Sequence, residues 1–562
     1  MSRSHSVRKS SDDASHIVGF RNFLTTPKPS ERFNGKYKLS QEDLDKALKL
    51  LAERIGQESN RIDVNWDNEN IPSGYTYLAQ LIGHDFVFNS ASLISINNCL
   101  EQKNLRKSYL QLDTVYGADS VGFHNRYYSP YNEKKYKTNF RLSSIKGNKK
   151  AFRDLPRSSS CYLQDSPDIK KKILSDILAA DIRNDGNIIL SQLTTLFCLL
   201  HNIIINKINY EKDSRIESEI KFEATKKVVI AIYHKIIRED FLNKILHPDI
   251  YGYYNNDLND FFSKKDDKEP SMELCHAVFR FGHSMVRPNY KLSDKNENVI
   301  LEDVMRYSSL RNPHLFPLPS DWLVAWSNFF CELGPEPPAN MSRVIGPHIA
   351  KFLNKGTRNG QVYIYCPFER SEKQNEKCKA LLPYRDLVRG SSSKMSMWSV
   401  HYLIKEIEKK SNNDLKKIIA GNKLFKEWKI WVYEIKKWLD EYKVFDRESK
   451  IKEFLSNDPP LYFFTLFEAK KTSSGKTLGP LGSIIIAEEF FKLLRSESNR
   501  NNANLKKYGS LCTESYDEIF FKNLSDLTNL SGKPSSVMSE VIKFVEKNIT
   551  DEDLYAEKYP II

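Results

Sequence analysis

Apolar positions recur at helical spacing along most of this chain. Leu39, Leu44, Leu48, Leu51 and Ile55 predict an amphipathic helix after a polar start. Gly74 precedes a second apolar run, 75–88, in which Gln80 and His84 share a face at i,i+4 spacing while Asp85 points elsewhere. Residues 117–157 are rich in Tyr, Asn and Lys, have no clear period, and predict a long loop. Helices are predicted at 188–208, 222–245 and 271–286, the last ended by Pro288. Between 300 and 400 proline and tryptophan are richer, which predicts short helices and loops. A strong helical pattern returns over 404–442, and 484–494 gives the last firm helix. Alternating Val, Ile and Thr are scarce, so the expected class is mainly α with few short strands. No internal repeat or linker divides the chain. The expected organisation is a mobile polar tail over 1–35, one large helical domain over 36–500, and a polar, partly helical extension over 501–562.

Composition changes this picture little. With 562 residues, 40% of them hydrophobic and 12% aromatic, the chain can bury a large core and is not a disordered one. The formal charge of +13 is spread thinly, with Lys-rich patches at 134–172 and 404–453. No aromatic–basic stripe accompanies them, so solvated helix faces are expected and a nucleic-acid partner is not. No uninterrupted apolar run reaches the ~20 residues of a membrane span. The richest, 188–208, is broken by Ser191, Gln192, Thr194, Thr195, His201 and Asn202. Residues 1–16 have no apolar stretch of the secretory kind, so we expect no cleaved signal, and either cytoplasmic residence or export by another route. The eight cysteines form no CxxC pair, and Cys198 and Cys275 sit in apolar helical patterns as expected free thiols.

The candidate chemistry lies on two histidines. Ser474-Gly475-Lys476-Thr477 imitates the end of a phosphate-binding loop, but the glycine required five residues before Gly475 is Lys470. No HExxH or GxSxG motif occurs, and His276 with His283 lacks a third zinc ligand nearby. Taken alone, His84 reads better as a core histidine satisfied by a neighbour. The 271–286 stretch adds weight. On one helix, His276, Arg280, His283 and Arg287 would form a polar stripe beside an apolar one of Leu274, Val278, Phe281 and Met285. A buried face with so much positive charge needs an anionic partner.

Several blocks, in order, carry a family resemblance. They are Gln80-Leu-Ile-Gly83-His84-Asp85; Leu110-Gln-Leu-Asp113-Thr-Val-Tyr-Gly117; Ala180-Asp-Ile-Arg183 through His201-Asn202; Phe279-Arg280-Phe-Gly-His283; and Tyr384-Arg-Asp386-Leu-Val-Arg389-Gly390. A last block runs from Pro459-Pro460 to Gly482. Together they resemble the animal-type haem peroxidases of the peroxidase–cyclooxygenase superfamily, in a bacterial-type version. The resemblance implies a single-domain helical haem peroxidase fold. In it His84 would be the distal base, Arg183 its catalytic partner, Gln80 a distal-pocket residue and His283 the proximal iron ligand. Arg280 and Arg389 would contact the haem propionates. The implied activity is reduction of hydrogen peroxide, through a ferryl intermediate, with oxidation of small donors such as iodide, bromide or phenols.

The departures are informative. Gly83 and Gly186 stand where many relatives carry the Asp and Glu that form ester bonds to haem, so haem b held without ester links is expected. Asp386 stands where the family has an Asn beside the proximal imidazole. Such a carboxylate would raise ligand basicity. The resemblance also implies a calcium site at Asp85 and Asp113 with carbonyls of Lys107 and Tyr109, yet Gln111 replaces an Asp and Lys107 a Thr. Two other readings compete. A fatty-acid dioxygenase of the superfamily would need a tyrosine where Arg280 stands, and a haem-binding adhesion or signalling protein would not need Gln80, His84 and Arg183 together.

Overall fold

The computed structural model describes residues 20–61, 64–88, 104–117, 139–140, 142–146, 148–157, 177, 179–207, 215–256, 262, 269–308, 312, 315–355, 382–391, 396–421, 424–509 and 536–549. It is mainly α, with three two-stranded antiparallel pairings. Helix α1 (Gln41–Glu58) starts where the Ser40 side chain accepts the Asp43 N–H, and Glu42 and Asp43 sit favourably in its first turn. Its predicted apolar stripe, Leu44, Leu48, Leu51 and Ile55, is buried. Strand β1 (Asp67–Pro72) pairs with a later strand, Met341–Arg343, and delivers the chain into α2 (Gly74–Phe86). A Cβ at Gly74 would lie 2.3 Å from the Phe330 ring, so only glycine lets α2 start there.

Helix α3 (Ile188–Lys207) packs against α2 and against α4 (Arg215–Lys235). Ile188–Asn206 is long and apolar enough to cross a membrane, yet it is wholly buried inside this fold. Its interrupting hydroxyls are satisfied internally. Thr194 donates to the Leu190 carbonyl at 2.9 Å and Thr195 to that of Ser191 at 2.8 Å. His201 pairs through Nδ1 with the Tyr116 hydroxyl at 3.0 Å, a buried polar group satisfied inside the core.

Helices α5 (Leu382–Ser391), α6 (Leu461–Ser473) and α7 (Pro480–Gly509) surround the 271–286 region. The Ser474-Gly475 motif is the stop of α6. Both residues have positive φ, and the Gly475 N–H donates to Ala469 at 3.0 Å.

The structure corrects several expectations. Residues 271–286 are not one helix. Helical turns at Met272–His276 break at Ala277, and a 3-10 stretch follows over Val278–Met285. The break lies where α5 crosses, since a Cβ on Gly390 would be 3.3 Å from the His276 carbonyl. Tertiary contact overrides the local pattern here. Within the stretch expected as a tail, the described residues from Phe20 on are held to the core: Phe23 is fully buried, its N–H donates to Glu273, and Arg21 pairs with Glu489 at 2.8 Å. The 404–442 pattern forms three helices, Val400–Lys410, Asn413–Gly421 and Trp428–Asp440. Beyond residue 500, α8 (Val537–Asn548) returns to pack Met538, Ile542 and Val545 into the core. Most of the 117–157 loop and the 134–172 patch lies outside the described residues, as do His124, His314, Cys99, Cys161, Cys366, Cys378 and Cys512.

Candidate active site

On α2, Gln80, Gly83 and His84 are partly accessible while their neighbours Ala79, Leu81, Ile82 and Asp85 are buried. Facing them, Phe279, Arg280, Gly282 and His283 are partly accessible, between buried Val278, Phe281 and Ser284. The two segments lie side by side. A Cβ on Gly83 would be 3.5 Å from the Phe279 ring, and one on Gly282 would be 3.9 Å from Ala79. Each of the two adjoining elements thus carries a partly accessible stripe, and each stripe holds one candidate histidine.

The orientation of His84 is set by a residue the sequence reading missed. Its Nδ1 lies 3.0 Å from Asn184 Oδ1. The Asn184 amide is itself fixed, because its Nδ2 donates to the Thr114 carbonyl at 2.9 Å and its Oδ1 accepts the Thr114 hydroxyl at 3.0 Å. Oδ1 can only accept, so His84 carries its proton on Nδ1 and leaves the Nε2 lone pair free. Burial, followed by the Arg183 guanidinium, lowers the His84 pKa from 6.5 to about 3. The imidazole is therefore a neutral base at ordinary pH. Gln80, one turn earlier, accepts from Asn187 Nδ2 at 3.2 Å.

Arg183 stands beside His84, but its donors go to backbone carbonyls and to Asp181. Nη1 bonds the Val87 carbonyl at 2.7 Å, Nη2 the His84 carbonyl at 3.0 Å, and Nε and Nη2 grip Asp181 at 2.9 and 2.6 Å. Its influence on the imidazole is electrostatic, with no hydrogen bond to the ring.

His283 has the opposite setting. Its Nδ1 lies 2.7 Å from Asp386 Oδ2, with Asp386 only 1% exposed and the imidazole 32% exposed. Burial alone would raise the Asp386 carboxyl, but His283, then Arg280 and Arg389, hold it below the usual range. Burial, with Asp386 beside it, pushes the Tyr462 phenol well above its usual value. Of the predicted polar stripe, Arg280 and His283 stay together on the partly accessible stretch. Arg287 turns away, pairing with Asp67 at 2.7 Å. His276 lies on the far side of the Ala277 break, buried against Phe20. The one-face stripe does not exist because the helix that would align it is broken.

The expected calcium residues sit together, yet each is engaged by protein donors. Asp85 accepts the N–H groups of Leu112 at 2.9 Å and Thr114 at 3.2 Å, and Asp113 takes the Ser108 hydroxyl. Gln111 leaves its side-chain nitrogen, a donor, buried without an acceptor. Among the described residues no three acidic, His or Cys side chains group as metal ligands. Asn184, Thr114, Asp181 and Arg106 all escaped the sequence reading. The one available signal was the density of polar residues over 181–187, at the head of an apolar helix.

A family model for animal haem peroxidase matches residues 80–362, just over half the chain and spanning both histidines. Among curated proteins none matches significantly. Solved structures similar to this one include peroxidase A from Dictyostelium discoideum, at 14% identity and TM-score 0.49 over 85% of this chain and 87% of that one. Another is a fatty acid alpha-dioxygenase from Oryza sativa, at 12% identity and TM-score 0.47 over 97% of this chain and 82% of that one. On the family match, the chain belongs to the animal haem peroxidases.

Proposed function

We propose that the protein is a haem peroxidase that reduces hydrogen peroxide at the expense of small donors such as iodide, bromide or phenols. The residues present fit a haem. It would lie in a slot between the two accessible stripes: Asp386 holds His283 Nδ1, which leaves Nε2 for the iron, and Arg280 and Arg389 bring positive charge for the propionates. Bound haem would supply the iron that takes peroxide and stores its two oxidising equivalents. The chain's own part is proton traffic and charge. His84 Nε2, free and unprotonated, takes a proton from the incoming peroxide oxygen and returns it to the departing one, which leaves as water. Asn184 keeps the imidazole in the tautomer that can do this. Gln80 adds an amide to the same face of the slot.

Gly83 and Gly186 offer no carboxyl for ester formation, so we propose haem b held without covalent links. Acid–acetone extraction should then strip all haem from the polypeptide, and haem retained after extraction contradicts this. What supports the peroxidase reading is His84, held by Asn184 with Nε2 left free, on an element adjoining the one that carries His283 and its partner Asp386. Arg280 stands where a dioxygenase of the superfamily would carry its radical tyrosine. The test is steady-state oxidation of a phenolic dye and of iodide by peroxide, beside dioxygen uptake with a long-chain fatty acid. Dye turnover that His84→Ala abolishes supports the proposal. Fatty-acid-dependent dioxygen uptake with no dye turnover, or equal dye rates in both proteins, overturns it.

A further inference from the structure

The end of α2 is closed in an unusual way. A helix leaves its last carbonyls without intrahelical partners, and these carry its partial negative charge. Here side chains take them. Asn104 Nδ2 donates to the Phe86 carbonyl at 3.1 Å and Arg183 Nη1 to that of Val87 at 2.7 Å. The carbonyl of His84 itself receives two guanidinium groups, Arg106 Nε and Arg183 Nη2, each at 3.0 Å. Buried Asp181 joins them, accepting from both arginines at 2.6 Å.

The neighbouring carboxylate has the same source of charge. Asp85 is fully buried, and such a group needs positive compensation as well as hydrogen bonds. The hydrogen bonds come from Leu112 and Thr114, in a loop whose Leu110 and Leu112 adopt left-handed backbone at φ 59° and 52°. Arg106 is the principal positively charged neighbour of Asp85.

We propose that Arg106 is a positioning residue for the base His84, and that its guanidinium does beside α2 what the family resemblance would assign to calcium. The proposal rests on the haem peroxidase reading for the role of His84, but not for the metal. Arg106 reaches the histidine's own carbonyl, so the last turn of α2, and with it the imidazole, is held from the backbone side. The cation is part of the chain and does not dissociate.

The test uses the full-length protein in two arms. In the first, thermal unfolding of the wild type with and without haem is compared in millimolar calcium and in excess chelator, alongside metal analysis. We expect the same midpoint in both and far less than one calcium per chain. One tightly held calcium whose removal lowers the midpoint overturns the proposal, whether or not haem binds. In the second arm, Arg106→Gln and Arg106→Lys are loaded with haem and cyanide association with the ferric protein is followed against pH. The glutamine variant should bind roughly tenfold more slowly, since small misplacements of a catalytic group are costly. Its acid limb should move to higher pH, because a positive charge near His84 is gone, while lysine restores the limb. Wild-type rates and an unmoved limb in Arg106→Gln overturn the positioning role. A wild type that forms no Soret band sinks the haem reading and leaves the calcium arm to decide.

Discussion

Replacing Asp386 by Asn tests the proximal half of the site with almost no change of shape. The side chain is 1% exposed and its Oδ2 lies 2.7 Å from His283 Nδ1, so an amide oxygen can accept the same proton. What disappears is the negative charge. Hydrogen bonds to charged groups contribute about 1.5–3 kcal/mol, against ~1 for neutral ones. For a one-electron couple about 1.4 kcal/mol corresponds to ~59 mV. If the carboxylate favours ferric over ferrous iron by the difference, about 0.5–2 kcal/mol, its loss raises the midpoint by roughly 20–85 mV. Arg280 and Arg389 already offset part of the Asp386 charge, which places the expectation in the lower half, about 20–40 mV. The assay is spectroelectrochemical titration of wild type and variant at one pH, with the Soret maximum as a check on ligation. An unchanged or lowered midpoint, with ligation intact, refutes the assignment of Asp386 as the electronic partner of His283.

Three further outcomes follow from the geometry. Asn184→Leu removes the amide that fixes the His84 tautomer, and stopped-flow mixing with peroxide should show the rate constant falling roughly 10- to 100-fold; an unaltered rate removes Asn184 from the mechanism. Because the folded His84 titrates near 3 and an ordinary histidine at 6.5, the peroxide rate should stay flat from neutral pH down to about one unit above 3. The same gap makes acid destabilising: the unfolded chain takes up the proton below 6.5 while the folded one does not, so His84 contributes a loss of stability as pH falls from 6.5 towards 3. A rate that halves near pH 6.5 contradicts both statements. Arg157, buried between Asp154 at 2.7 Å and Asp185 at 2.8 Å, anchors the loop that carries Asn184. Arg157→Met strands two buried carboxylates and should cost roughly 3–5 kcal/mol in chemical denaturation, and a loss below about 1 kcal/mol would discount the anchor.

Much of this molecule was legible in its apolar spacing. The α1 stripe, the run that becomes α2 and the buried α3 all follow from period alone, because each buries one face or all faces against neighbours. The 271–286 region was not, since its break at Ala277 answers to Gly390 on α5, more than a hundred residues away in sequence. His84 and His283 were found because an imidazole in an apolar helix is conspicuous. Their partners divide by the same rule. Asp386 stood out as a departure from a known pattern, whereas Asn184, Thr114, Asp181 and Arg106 lie on loops or on single helical turns too short for periodicity to give side-chain directions. Arg183 shows the limit from the other side. Its neighbourhood was foreseen, but its hydrogen bonds go to the end of α2 because that helix end had carbonyls to satisfy.

The most direct measurement is titration of the haem-free protein with haemin, followed in the Soret region, for the wild type, His283→Ala and His84→Ala. We expect one haem per chain in the wild type with a histidine-ligated ferric spectrum that shifts on adding peroxide. His84→Ala should keep the spectrum and lose the shift, and His283→Ala should lose the ligation. Equal, saturable spectra in the wild type and His283→Ala, or no Soret band in any of the three, would contradict it.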